Sequence, residues 1–202
     1  MSEQKLIFFA VLIPSVILHE ISHGWVALMF GDDTAKRAGR LTLNPIAHID
    51  PFGTIILPAI LLLSGAGAFG YAKPVPVNPR NLRNPRNQSL VVSLAGPLVN
   101  IVLSLSAAFG LRAIGIFGDD LLHRVVFAVG YINVILAAFN LIPLPPLDGS
   151  AVVERLLPEA WWPQYLRFRQ YSFGLLLIVV FLWRDGLNSF FLWALHLWAR
   201  LL

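Results

Sequence analysis

The chain has 202 residues, 57% of them hydrophobic and 13% charged, with a mean hydropathy of +0.71; this composition excludes an ordinary water-soluble domain and points to lipid as the solvent. It has no cysteine, which excludes disulfides, thiolate metal sites and a cysteine nucleophile, so any metal must be held by histidine and carboxylate. The net charge of +4 comes from Lys and Arg scattered through loops between apolar stretches, the pattern of membrane flanks, so the expected surroundings are a lipid bilayer and no nucleic acid.

Apolar stretches at 6–18, 55–63, 90–109, 125–142, 171–183 and 187–199 predict an all-α polytopic membrane protein of about five to six transmembrane helices. Residues 5–30 read as one helix, kinked at Pro14 and ended by Gly31-Asp32-Asp33. Residues 36–51 alternate basic, polar and apolar groups, which suits a short β-hairpin or extended strand with a free edge better than a helix. In 52–70, Pro58 and Ser64-Gly65-Ala66-Gly67 leave too short an apolar run to span, so a re-entrant segment is expected. A Pro, Asn and Arg rich loop (71–88) leads to spans at 89–111 and 125–142, the second ended by Pro143, Pro145 and Pro146. If 52–70 enters and leaves on one face, five spans remain and most Lys and Arg fall on one side, with the N-terminus outside and the C-terminus in the cytosol; the last segment, 187–202, is barely long enough to span, and lying in the interface is its alternative. The whole chain then forms one integral-membrane domain, with a core over about 5–150 and C-terminal helices over about 165–202.

His19-Glu20-Ile21-Ser22-His23 is an H-E-x-x-H pattern inside the first helix. The i, i+4 spacing puts both imidazoles on one face, able to share a metal, with Glu20 beside it. Two histidines and a glutamate in an apolar span are costly, which makes them functional candidates by default. A polar cluster that only glues helices together requires neither ligand spacing nor an intervening carboxylate.

A catalytic zinc takes three protein ligands and keeps one position open. The candidates for the third are His48, Asp50, His123, His196 and Asp148. Asp148 is preferred: its proline run cannot form a regular helix, and irregular backbone at membrane depth is tolerable where it lines a polar cavity. His48, His123 and His196 lack a partner at ligand spacing and read as packing or interface residues.

H-E-x-x-H in one span, paired with Asn140, Pro143, Pro145, Leu147, Asp148 and Gly149 in the pattern N-x-x-P-x-P-x-L-D-G, resembles the site-2 protease family of intramembrane zinc proteases. Ala95-Gly96-Pro97-Leu98-Val99-Asn100 is similar to the family's G-P-x-x-N element. The resemblance spans residues 19–149 and is to a minimal form without a PDZ or CBS domain. It implies one zinc ion held by His19, His23 and Asp148, a site within the cell membrane towards the cytosol, and a transmembrane segment of another protein as substrate. Glu20 is expected to act as general base and acid.

Asn100 is expected either to hydrogen-bond substrate or oxyanion or to glue helices together, and Asn140 to fix the Asp148 loop. A substrate strand is expected to add to the 40–49 edge. The competing readings are a zinc transporter or channel, a membrane zinc hydrolase of a non-peptide substrate, and a silent member that binds without cutting.

Overall fold

A computed structural model describes residues 2–56, 60 and 70–202. Helix α1 (Glu3–Met29) and the short α2 (Thr34–Arg37) are followed by turns at Pro45–His48 and Pro51–Ile56. Next come α3 (Pro85–Ile114), α4 (Leu121–Asn140), α5 (Ser150–Leu156), α6 (Trp162–Leu182) and α7 (Arg184–Ala199). Among the described residues four helical stretches, Glu3–Met29, Pro85–Ile114, Leu121–Asn140 and Glu159–Leu182, are long and apolar enough to cross a membrane. α7, with 16 residues, is about 24 Å long and falls short of the hydrocarbon thickness.

Helix α1 runs unbroken through Pro14. Its buried stripe is Ile7, Val11, Ser15, His19, His23 and Ala27, six positions spaced by four residues, hence one face. Phe9, Ile13, Trp25 and Met29 are exposed on other faces, as expected of lipid-facing groups. The apolar half of the stripe packs with Ala128 and Ile132 of α4, and the polar half faces α3 where Ala95, Gly96 and Pro97 keep the helix surface small. A Cβ on Gly96 would lie 2.5 Å from both His19 and His23, so only glycine allows this approach. Interhelical packing on small residues is how helices associate where lipid offers no hydrophobic drive.

Helix α7 closes the bundle against α4. Trp198 packs with Ala108, Leu111 and Val134, and its indole N–H donates to the Ser104 carbonyl at 2.8 Å. Arg112 donates to the Leu202 carbonyl at 3.3 Å, and Arg124 pairs with Glu3 at 3.3 Å. Both chain ends therefore lie at one end of the bundle, which corrects the expected placement of the termini on opposite sides.

The hairpin expected over 36–51 is also corrected, because those residues form no strand. Pro45 and Pro51 cannot donate to a ladder. Instead, the Asn44 side chain caps the Pro45–His48 turn through the Ile46 amide at 3.1 Å, and His48 folds back to the Thr42 carbonyl at 2.9 Å. The free edge expected for substrate is therefore absent from this stretch. Of the re-entrant segment, Pro51–Ile56 forms a π-helical turn, while Pro58 and the Ser64–Gly67 run lie outside the described residues.

The loops on the His19 side of the bundle are tied together by Asp32, which is fully buried. It accepts from the Thr34 amide at 3.1 Å, the Thr34 hydroxyl, the Asn78 amide at 2.6 Å and the Asn81 side chain at 2.9 Å. Burial pushes its carboxyl up, but these donors outweigh burial and hold it below the usual carboxylate range. A lowered folded pKa means stability that is present above the ordinary carboxylate value and lost as pH falls through the folded one. Asp32→Asn is expected to cost about 1–3 kcal/mol and to flatten the acid limb of a thermal unfolding series in detergent as pH falls below about 4. An unchanged acid limb would contradict this assignment.

Candidate metal centre

The site is built from three elements. α1 supplies His19 and His23, one turn apart and both buried. The segment from Leu141 to Gly149 supplies Asp148, and α3 supplies the floor at Gly96. The Asp148 segment turns back on itself because the Gly149 amide donates to the Asn140 carbonyl at 2.7 Å and the Leu147 amide to Leu144 at 2.9 Å. A side chain at 149 would collide with the Leu141 carbonyl, so glycine permits the closure.

His19 Nε2 and His23 Nε2 stand 3.2 Å apart. Asp148 Oδ2 is 3.1 Å from the first and 3.5 Å from the second. The other ring nitrogens face acceptors: His23 Nδ1 lies 2.7 Å from the Val92 carbonyl and His19 Nδ1 2.6 Å from Asn100 Oδ1. Both rings therefore carry their proton on Nδ1 and turn the Nε2 lone pair inward. Asp148 Oδ2 is buried with no hydrogen-bond partner.

Two lone pairs and a carboxylate oxygen this close repel one another unless a cation lies among them. Two imidazoles and one carboxylate are a catalytic zinc donor set, and each ring is oriented by an outer hydrogen bond as such ligands are. The residues fit a metal ion, and His19, His23 and Asp148 are the one group of this kind among the described residues.

Glu20 is partly buried beside this group, and its Oε2 accepts the Val75 amide at 2.9 Å. Val75 lies between Pro74 and Pro76, neither of which has an N–H. The segment carrying it is pinned where Arg40 donates to the Lys73 carbonyl at 2.6 Å, where the Lys73 amide donates to the His48 carbonyl at 2.9 Å, and at Asn78 by Asp32. Neither Val75 nor Arg40 was singled out in the sequence, since a backbone donor and a distant loop cation leave no spacing signature.

Asn100 is fully buried, with its Oδ1 on His19 and its Nδ2 donating to Asn133 Oδ1 at 2.7 Å. Its amide is committed at both ends, an arrangement that suits orienting His19 rather than meeting substrate. Asn140 donates to the Leu136 carbonyl of its own helix at 3.0 Å; its main-chain carbonyl, not its side chain, closes the Asp148 loop. His48 bonds Thr42, Asp50 accepts the Gly53 amide at 2.7 Å, and His123 bonds Asp120 and Gly115.

The family model for peptidase family M50 matches residues 7–115 and 114–182. The candidate zinc metalloprotease YwhC of Bacillus subtilis is 40% identical over 193 residues, covering 91% of this chain and 83% of that protein. The candidate zinc metalloprotease Rip2 of Mycolicibacterium smegmatis is 33% identical over 184 residues, 88% of this chain and 66% of its own length. The zinc metalloprotease MJ0392 of Methanocaldococcus jannaschii is 24% identical over 160 residues, 77% of this chain and 35% of its own length. No solved structure matches.

Proposed function

The chain belongs to peptidase family M50, the site-2 protease family that its motifs resemble, and from that premise we propose how its residues hydrolyse a peptide bond within a membrane. It is a zinc metalloprotease with helices able to cross a bilayer. His19, His23 and Asp148 hold one zinc ion. The observation that carries this assignment is the convergence of two imidazole lone pairs and an unpartnered carboxylate oxygen within 3.5 Å. When bound, the zinc supplies Lewis acidity, polarising the scissile carbonyl and lowering the pKa of a water to about 7.

Glu20 takes the proton of the attacking water and returns it to the departing amine. Its carboxylate is held for this by the Val75 amide. Asn100 keeps the His19 proton on Nδ1. The substrate is a transmembrane segment of another protein. The site lies towards the cytosolic side, because Arg40, Lys73, Arg80 and Arg83 cluster on the loops at that end and positive loops stay inside. Residues 5–150 carry the whole catalytic core.

Metal removal tests the assignment. Purified protein in detergent, incubated with tagged single-span substrates, is expected to lose cleavage on chelation and regain it at about one zinc per chain. Cleavage that persists after zinc is removed would refute it.

A further inference from the structure

We infer that Asn133, in the middle of α4, is a positioning residue for the metal centre: through Asn100 it determines which ring nitrogen of His19 carries the proton. The inference rests on the zinc assignment above. Asn133 is fully buried, as is Asn100, and a lone asparagine at this depth is unfavourable unless both ends of its amide are satisfied.

The direction of the relay is set by a backbone group. The Val129 carbonyl can only accept, and Asn133 Nδ2 faces it at 2.8 Å. The second hydrogen of that Nδ2 goes to Ser15 Oγ on α1 at 3.0 Å. Asn133 must therefore turn Oδ1 towards Asn100, which answers with Nδ2 at 2.7 Å. Asn100 is left with Oδ1 towards His19, so Nδ1 carries the hydrogen and Nε2 keeps its lone pair for the metal.

Reversing Asn133 would set its oxygen against the Val129 carbonyl, and reversing Asn100 alone would set its amide oxygen against that of Asn133. His23 needs no such relay, since its Nδ1 meets the Val92 carbonyl directly. A purely adhesive contact between α1 and α4 would be served by Ser15 and Asn133 alone. The chain of unidirectional bonds ending on a metal-facing imidazole is what adhesion does not require.

The test measures zinc affinity of the full chain in detergent by competition with a chelator, for wild type, Asn133→Leu, Asn133→Ala and Ser15→Ala. Thermal unfolding of the zinc-free forms is followed in parallel. Both Asn133 variants are expected to bind zinc about 10- to 100-fold more weakly. Ser15→Ala, which removes a buried bond between the same helices but leaves the Val129 contact, is expected to stay within about threefold of wild type. Wild-type affinity in whichever Asn133 variant folds, or equal weakening in Ser15→Ala, would overturn the inference. A wild type that binds no zinc would instead overturn the zinc assignment on which it rests.

Discussion

Glu20→Gln is expected to abolish peptide cleavage while one zinc per chain remains bound. Glu20 is not one of the three converging groups, and it is held from outside the metal site by the Val75 amide at 2.9 Å. Glutamine keeps the size of the side chain and an oxygen for that amide, so position is preserved and only basicity is lost. A positioned general base contributes about 10²- to 10⁴-fold, and the same group returns the proton to the amine, so the upper end is expected. Cleavage of tagged single-span substrates, measured beside metal content, decides the matter. Activity within about tenfold of wild type would remove Glu20 from the proton-transfer role.

Gly96→Ala is expected to strip the zinc and the activity together. The added Cβ would meet His19 Cε1 and His23 Nε2 at 2.5 Å and His19 Nε2 at 2.6 Å, far inside van der Waals contact. Backbone cannot yield easily here, because α3 is held against α1 along the whole small-residue face, so both imidazoles must swing and leave Asn100 and Val92. The loss in zinc affinity is expected to reach about 100-fold. Alanine is the better helix former by about 1 kcal/mol, so the zinc-free variant is expected to remain helical by circular dichroism. Full zinc content in the variant would show that the helices part more readily than their packing implies.

Those two outcomes separate what was legible in the sequence from what was not. H-E-x-x-H declares its geometry through the pitch of a helix, and the buried stripe of α1 places His19 and His23 where that pitch says. Asp148 could be reached by asking where a carboxylate and an interrupted helix coincide, and the Leu141–Gly149 turn answers it. Asn133 carries no such mark. It stands in Tyr-Ile-Asn-Val-Ile with no partner at fixed spacing, and its meaning comes from Asn100 and Ser15, which are 33 and 118 residues away.

The errors have physical causes too. Alternation in 36–51 suggested a strand, but alternation says nothing of which amides are free, and the prolines with Asn44 and His48 take the backbone into turns. Charge balance with alternating crossings puts the C-terminus opposite the N-terminus, whereas Trp198 sitting on Gly130 and Leu202 beside Arg112 set the direction of α7.

The stripe of α1 has a consequence for how the bundle can assemble. Ile7 and Val11 join the apolar cluster with α4, Ser15 meets Asn133, and His19 and His23 meet Asn100, Val92 and Asp148, all along a single line. A slip of α1 by one turn, about 5.4 Å, would bring Ser15 to the place of His19 in one direction, or His19 to the place of Ser15 in the other. Apolar packing alone would resist such a slip weakly, since lipid and neighbouring helix are equally oily. The buried polar side chains of the stripe thus act as the teeth of a gear, and a helix inserted out of step would leave them without their partners.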